Sequence, residues 1–337
     1  MQKNIITLVL SLFVLPLMAL NGYAAPLEIV PFDSNNQSPL VGIFGLPGPG
    51  NFLLLPAGKT AAGINIALAS NYAVDDNPRE KIILDGETTR LTLTVRHAFS
   101  SRLEAGIRMP YIIQGGGFLD SFIEDYHSAF SLPQGGRDMA PRNRSLYHYR
   151  KDGVDRLLVQ AVGAGFGDLG FTAAYQIKEK RDSGQGLTLN LGLKLPTGDS
   201  DELRGSGSAD LSLWLTGGAD LGRAAGKWTA YGSLGAMFMT EGNILPEQQK
   251  NWVGFGSLGL GWIPLPRLAF KIQTDVHTAF YSDSNLTELA DTAVQLVAGG
   301  TVALWEGSTL DIGVGEDLVV KSSPDVVFYL NLRQSFQ

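Results

Sequence analysis

The stretch GLTLNLGLKLP, residues 186–196, decides the fold. Its leucines occupy alternate positions, and Thr188, Asn190, Gly192 and Lys194 lie between them. A helix would distribute these leucines around its circumference, whereas a β-strand places them all on one face. The stretch therefore predicts a strand with one aliphatic face and one polar face.

The same alternation recurs along the whole chain. It is clear at 90–99, 267–281 and 325–336, and weaker at 60–72, 102–114, 167–178, 208–219, 227–240, 250–263, 292–304 and 309–320. Tight connections such as WEGS (305–308) alternate with long polar ones such as AVDDNPREKIILDGE (73–87). This pattern is typical of an outer-membrane barrel. It predicts an all-β, transmembrane antiparallel β-barrel of about twelve strands, with ten or fourteen as alternatives.

A soluble β-sandwich or lipocalin-like barrel also alternates, so the membrane needs separate support. Whole strands carry an aliphatic face, and aromatic residues cluster at strand ends, where interface girdles lie in membrane barrels. These aromatic residues are Phe99, Tyr111, Trp228, Trp252, Trp262, Phe280, Tyr281, Trp305 and Phe336. Both features favour the membrane barrel.

The N-terminus has the pattern of a secretory signal peptide. Lys3 precedes an apolar run, and the small residues Gly22 and Ala24 fit a cleavage site, which predicts a signal peptide over 1–24. An N-terminal membrane anchor is the alternative. The chain has no cysteine, which excludes disulfides and thiol catalysis, and its net charge of −7 argues against nucleic-acid binding.

The rest of the chain divides in two. Residues 25–57 are rich in proline and glycine and form no regular strand, so we expect a periplasmic tail or a plug inside the barrel. The apolar residues of this segment favour the plug. Residues 58–337 are predicted to form the outer-membrane β-barrel, with a large extracellular loop at 115–166 that contains a helix and a short strand.

The helix is predicted within GGGFLDSFIEDYHSAFSLPQGGR, residues 115–137. It is amphipathic, and an aromatic stripe recurs every four residues. We expect this stripe to act as a gate at the mouth of the lumen; it comprises Phe118, Phe122, Tyr126 and Phe130. His127 and Ser128 raise the alternative of a lipid-modifying enzyme, but adjacent residues on a helix do not face each other. No catalytic residue is therefore predicted.

Polar residues on the inward faces of the strands are the candidate lining of a channel. They carry charges of both signs and comprise Arg96, Glu104, Arg108, Lys194, Lys271, Asp275, His277 and Arg333. Such charges line a hydrated route or pair across the lumen and stiffen the wall. The four histidines are far apart and lack metal-ligand spacing, so neither a metal nor a cofactor is predicted.

Several motifs resemble one family. NQSPL (36–40), GLPGPG (45–50), DYHSAFSLPQGGR (125–137), GFGDLGF (165–171) and LPTGDSDELRGSGSAD (195–210) together resemble the outer-membrane family known as domain of unknown function 3187. The last two are also similar to barrels associated with aromatic degradation and, more loosely, to fatty-acid channels. The resemblance implies an outer-membrane barrel and supplies no activity or site residue.

These observations predict a passive outer-membrane channel for small, partly apolar molecules. The alternatives are a structural or envelope-assembly barrel without a substrate, and an outer-membrane lipid-modifying enzyme. Expected partners are outer-membrane lipids, lipopolysaccharide and the barrel-assembly machinery, with a possible small hydrophobic substrate and no nucleic acid. A basic stretch at 137–156 is the candidate contact with lipopolysaccharide phosphates.

Overall fold

The computed structural model describes residues 27–117, 119, 141–160, 162–180, 185–222, 226–318 and 323–336. The elements are β1 (Thr60–Asp76), β2 (Glu80–Ala98), β3 (Leu103–Gly115), β4 (Leu146–Lys151), β5 (Val154–Val159), β6 (Gly163–Phe166), β7 (Leu169–Lys180), β8 (Gln185–Leu195), β9 (Asp210–Gly222), β10 (Lys227–Met239), β11 (Trp252–Leu265), β12 (Leu268–His277), α1 (Thr287–Ala290), β13 (Ala293–Ala303), β14 (Ser308–Asp317) and β15 (Val326–Phe336). Among these residues no helix is long and apolar enough to cross a membrane.

Twelve of the strands close into an antiparallel barrel. The wall consists of β1, β2, β3 and β7 to β15. Each of these strands pairs with the one that follows it in this order, and β15 pairs with β1 to complete the ring. In the closing pair Thr60 lies opposite Phe336 and Ser70 lies opposite Val326. A closed ring leaves no sheet edge unpaired, as a bilayer requires. The prediction of a transmembrane antiparallel barrel of about twelve strands is confirmed.

The two ends of the barrel differ in their connections. At one end, here called the turn end, the connections are short; an example is the link from Ala98 to Leu103. β1 begins and β15 ends there. At the opposite, loop end, the links are longer, such as the one from Met239 to Trp252. The short strands β4 to β6 also belong to the loop end.

The outer face of the wall is an aliphatic belt. Four of the five leucines that alternate along β8 are exposed and Leu187 is half-buried, and exposed leucines also occur on neighbouring strands. Exposed leucines of the belt are Leu189, Leu191, Leu193, Leu195, Leu211, Leu213, Leu215, Leu234, Leu258, Leu330 and Leu332. A soluble protein rarely exposes so large a continuous apolar surface, whereas hydrocarbon chains cover it without cost.

The predicted long loop at 73–87 is wrong. β1 and β2 continue through most of this stretch as a hairpin that extends beyond the wall. There β2 leaves β3 and pairs with β4. Ile82 is fully buried and packs in one cluster with Tyr147 and Tyr149 of β4. The polar residues at 73–80 obscured this extension, because its apolar partners lie more than sixty positions later in the chain.

A large apolar cluster, the loop-end cluster, lies across the loop end of the barrel. It includes residues from β2, β4, β5, β10, the loops after β10 and β12, and the segment before β1. Its members include Leu40, Val41, Ile43, Phe44, Ile82, Leu84, Tyr147, Tyr149, Leu157, Met237, Met239, Ile244, Leu245, Phe280, Tyr281, Leu286 and Leu289. The expectation that Phe280 and Tyr281 belong to a membrane girdle is wrong, because both rings are buried in this cluster. β12 ends at His277, and the chain then turns inward.

Candidate functional site

The N-terminal segment, residues 27–57, lies inside the barrel. Its first part follows β12 at a constant sequence separation, because five hydrogen-bonded pairs are each 241 residues apart. The pairs are Val30–Lys271, Phe32–Gln273, Ser34–Asp275, Asn36–His277 and Leu40–Tyr281. Since alternate residues of both stretches take part from Val30 to Asn36, this part of the segment is extended and parallel to β12.

The segment reverses direction at the loop end. The amides of Val41 and Gly42 both donate to Ser38 O, and the amide of Phe44 donates to Val41 O. The apolar side chains of this turn pack in the loop-end cluster, where the Phe44 ring stacks on Phe280 at 4.9 Å between centroids. The turn therefore fixes the segment to the apolar cover of the barrel.

The second part of the segment returns to the turn end along other strands. Gly50 has φ of +77°, a conformation that favours glycine, and its neighbours meet β9 and β8. The wall contacts of this part, in order, are Gly45–Asp210, Pro49–Trp214, Asn51–Thr188, Phe52–Gln176, Leu54–Gln176 and Leu55–Glu104. The segment then joins β1 through a turn at 56–59.

A buried charge cluster supports the wall next to β12. Asp311 accepts from Lys271 Nζ at 3.1 Å, from Arg333 at 2.9 Å and from Thr301 Oγ1 at 2.6 Å. Lys271 also donates to Val30 O at 2.9 Å, so the cluster reaches the segment. Lys271 and Asp311 are almost fully enclosed, at 0% and 1% exposed side chain. Removal of either partner would leave an uncompensated buried charge.

A second buried cluster lies across the lumen. Lys194 Nζ pairs with Asp168 at 2.6 Å and with Asp210 at 3.2 Å, and it also donates to Ser206 Oγ at 2.5 Å. Asp210 accepts in turn from the amide of Gly45 at 2.7 Å. Asp210 therefore links this side of the wall to the segment, because its carboxylate contacts both Lys194 and the Gly45 amide.

Two further ion pairs lie on β2 and β3. Arg96 pairs with Glu104 at 2.8 Å, and Arg108 pairs with Asp33 of the segment at 3.0 Å. The Arg108–Asp33 pair is the more exposed, at 36% and 26% of the two side chains. The inward position of Arg108 is therefore fixed by its contact with a residue that lies inside the barrel.

Arg90 on β2 differs from these cations. Its Nε donates to Gln37 Oε1 at 3.0 Å, and its second guanidinium nitrogen donates to Gly42 O at 2.6 Å. Both acceptors are neutral groups of the segment. Within the part of the chain that the structure describes, no carboxylate forms an ion pair with Arg90. The segment therefore binds this guanidinium through the dipoles of an amide and a carbonyl.

A cavity of about 220 Å³ remains between the segment and the wall. Among the described residues, six basic and three acidic ones line it, and its apolar lining includes Phe32, Phe44, Leu54 and Trp214. The basic residues are Arg90, Arg96, Arg108, Lys194, Arg204 and Arg333, and the acidic residues are Asp33, Glu104 and Asp168. The space is smaller than the roughly 300–1,000 Å³ pockets that hold drug-sized ligands.

The eight polar residues expected in the lumen all face the interior, where each contacts the N-terminal segment or another polar residue inside the barrel. The contacts are those of Arg96, Glu104, Arg108, Lys194, Lys271, Asp275, His277 and Arg333. The aromatic gate residues Phe118, Phe122, Tyr126 and Phe130 lie outside the described residues, so the gate stays a prediction.

Sequence reasoning missed Arg90, Asp33 and Asp168. Arg90 shares the alternating phase of Arg96, which is predicted to face inward, so the pattern contains the signal. Asp33 lies outside any regular strand pattern, and Asp168 lies at the start of the weak alternation at 167–178, directly before β7. The loop after β8 carries the acidic residues Asp199, Asp201 and Glu202. Arg204 neutralises part of this charge, because it pairs with Asp199 at 3.0 Å.

Comparison with known proteins supports the fold. Residues 5–336 match one protein family, described as protein of unknown function (DUF3187). No curated protein matches the chain. Among solved structures, an outer membrane channel from Pseudomonas putida F1 is similar with a TM-score of 0.56 at 15% identity, over 86% of this chain and 99% of that chain.

Two other solved structures have lower similarity. The NanC porin has a TM-score of 0.44 at 7% identity, over 82% of this chain and 99% of that chain. The CymD monoaromatic hydrocarbon channel has a TM-score of 0.40 at 12% identity, over 95% of this chain and 99% of that chain. Together with the aliphatic belt, the P. putida similarity identifies the fold as that of an outer-membrane β-barrel.

Proposed function

The chain belongs to the family described as protein of unknown function (DUF3187), and from that premise we propose that this outer-membrane barrel is a passive channel for small, partly apolar molecules. The N-terminal segment is its plug. The similar solved structures are channels and porins, which favours transport over catalysis. With the turn end in the periplasm, both ends of the segment lie on the periplasmic side.

One observation carries this proposal: the segment meets the wall through wall side chains, not as a further strand. Gln273, Asp275 and His277 reach inward to the segment, as do Gln176 and Trp214 on the opposite side. Such contacts exchange for water when the segment moves, and the ladder of the wall remains intact. A segment inserted into the sheet would instead open the barrel when it left.

The cavity beside the segment indicates where the route lies. It borders β2, β3, β7 and β8, and it has both charged and apolar lining. Displacement of the segment would join this space to the volume that the segment occupies now. A lumen of mixed character suits small molecules that carry an apolar part.

A reversible lock tests the channel directly. The chain has no cysteine, so Ser34→Cys with Asp275→Cys introduces the only thiols. These residues are in contact, with Ser34 Oγ 2.6 Å from Asp275 Oδ2. We expect the disulfide to abolish conductance in planar bilayers and a reductant to restore it, because the lock holds the segment on β12.

Each single cysteine variant is the control and should conduct regardless of the redox state. Two outcomes would favour the structural barrel with a closed, ion-paired lumen. In one, the wild-type protein never conducts; in the other, the reduced double variant conducts no better than the oxidised double variant. Liposome swelling with small uncharged solutes gives an independent measure of the same opening.

The aromatic stripe remains part of the proposal as a second gate. Phe122→Asp should loosen its packing and raise conductance, and unchanged conductance would contradict a gating role. The enzyme alternative has its own assay: release of fatty acid from phospholipid by the solubilised protein, lost in Ser128→Ala, would support it.

The lipid partners follow from the outer surface. The exposed leucines of β8 and β9 face hydrocarbon, so outer-membrane lipids surround the wall. Lipopolysaccharide binding by the basic stretch is a weaker part of the proposal, because Arg144, Lys151 and Arg156 pair with carboxylates of this chain. Interaction with the barrel-assembly machinery stays a prediction.

A further inference from the structure

We propose that Arg90 and Arg108 form a binding site for the carboxylate of a small organic acid with an apolar body, and that the N-terminal segment occupies this site while the channel is closed. The inference deepens the proposed function, on which it rests, by naming the substrate class. Asp33, Gln37 and Gly42 of the segment supply the oxygen atoms that a bound carboxylate would replace.

The two arginines lie on neighbouring strands and face the same space. β2 and β3 are antiparallel, and Arg108 lies opposite Thr94, four positions along β2 from Arg90. An even separation keeps Arg90 and Thr94 on one face of the strand. Both arginines line the cavity.

Arg90 is held by weaker acceptors than the other cations of the lumen. Lys194, Lys271 and Arg333 each pair with a carboxylate, whereas among the described residues Arg90 meets an amide oxygen and a backbone carbonyl and no carboxylate. Hydrogen bonds between a guanidinium and a carboxylate are shorter and stronger than those to neutral oxygens, and they are often bidentate. An incoming carboxylate would therefore compete well for this group.

Arg108 already holds a carboxylate, which shows what the position accepts. One of its nitrogens lies 3.0 and 3.1 Å from the two oxygens of Asp33. Both side chains retain access to solvent, unlike the enclosed Lys271–Asp311 pair. A hydrated pair is easily exchanged. Asp33 therefore acts as a built-in competitor for a soluble anion.

The charge and shape of the cavity fit the same ligand. The described part of its lining has twice as many basic as acidic residues, although the chain as a whole has a net charge of −7. Phe32, Phe44 and Leu54 supply the apolar part of the lining. A volume of about 220 Å³ limits the ligand to a small molecule.

Binding at this site would also act on the plug. Gln37 and Gly42 flank the reversal of the segment, so loss of their bonds to Arg90 detaches that turn from β2. Loss of the Asp33–Arg108 pair detaches the part that follows β12 from β3. A ligand that binds better when the segment has left shifts the population toward the open state.

Equilibrium binding tests this inference without any need for conductance. The probe is benzoate, titrated into the detergent-solubilised full-length barrel by calorimetry, with benzyl alcohol as the neutral analogue. We expect benzoate to bind and benzyl alcohol to bind at least tenfold more weakly. Arg90→Gln and Arg108→Gln should each weaken benzoate at least tenfold, whereas Asp33→Asn should strengthen it several-fold.

Glu28→Gln is the matched control for Asp33→Asn. It also removes one negative charge from the segment, but at an exposed position, and it should leave the affinity for benzoate unchanged. Arg90→Lys, which keeps the charge but loses the planar fork, should give an intermediate affinity and covers the case in which Arg90→Gln does not fold. Heat-modifiable mobility on gels verifies folding.

Equal binding of benzoate and benzyl alcohol, or unchanged affinity in folded Arg90→Gln and Arg108→Gln, would overturn the inference. Reversal potentials in a KCl gradient separate it from the proposed function. Benzoate binding without any conductance would reject the channel and retain the carboxylate site. Conductance with cation preference and no benzoate binding would reject the carboxylate site and retain the channel.

Discussion

The N-terminal segment, which we propose to be the plug, meets two sides of the barrel in different ways. Along β12, alternate residues bond to it at a constant separation, and the central partner, Gln273, is buried. Along β2 and β3, the bonds come from the tips of Arg90 and Arg108, next to a cavity. The comparison suggests that β12 anchors the plug and that the arginine side yields first.

The largest effect is expected beneath the anchored side. Asp311→Asn leaves Lys271 and Arg333 without their shared carboxylate inside the wall. Loss of one partner from a buried pair costs about 3–5 kcal/mol. Unfolding by urea in detergent should reveal this loss, and Asp220→Asn, at a half-exposed pair with Lys227, should cost far less. Equal losses would show that the buried cluster has no special role.

A smaller effect is expected where β12 holds the plug. Gln273→Ala removes the acceptor of the Phe32 amide and a donor to its carbonyl, and unpaired buried groups cost about 1–3 kcal/mol each. Maleimide labelling of Ser34→Cys should become faster in this background. Gln295→Ala on the adjacent strand, opposite Asp275, is the control. Unchanged labelling would mean that β12 is not the anchor.

The arginine side should tolerate a comparable change better. Arg108→Gln breaks a half-exposed ion pair, for which a cost of about 0–1 kcal/mol is typical. Global stability by urea should hardly change, while labelling of Ser34→Cys in the Arg108→Gln background should become faster. A loss as large as that of Gln273→Ala would remove the distinction between the two sides.

The smallest effect concerns the loop end, beyond the wall. Burial favours a higher pKa for Glu80, but hydrogen bonds from Tyr149 and from the Asn285 amide outweigh it and lower that pKa below the ordinary value. A lowered carboxyl pKa gives stability that is present above the pKa of the unfolded chain and is lost as pH falls through the folded pKa.

Acidification from about pH 4.3 downward should therefore loosen the hairpin of β4 and β5. Hydrogen exchange of β4 amides measures this opening. Tyr149→Phe removes one of the bonds and should flatten the pH dependence. An identical profile in Tyr149→Phe would show that Glu80 does not fasten the hairpin through this contact.

The wall could be predicted from sequence because its pattern is local. The leucines of 186–196 place β8 within one residue of its observed bounds, and Arg96 and Lys194 lie in the alternating phase that lines the cavity. The extension of β1 and β2 was missed because its stabilising partners, Tyr147 and Tyr149, are distant in sequence.

The interior was less predictable, since its contacts join residues that no period relates. Proline and glycine at 45–50 exclude a strand but do not indicate that Pro49 meets Trp214. Likewise, Arg108 reads as an inward charge, yet its partner Asp33 lies in a segment without periodicity. Which residues pair inside the barrel is decided only once the ring of strands has closed around the N-terminal segment.

The constant separation along β12 also sets an order of assembly. A contact between residues 241 positions apart cannot form until β12 exists, and closing so long a loop is slow. Leu27 packs near the turn end with Ile263, and Lys59 joins β1 at that same end. The segment can thus enter a finished barrel as a folded-back loop, without threading through the wall. Its docking would then appear as a late kinetic phase, after strand pairing is complete.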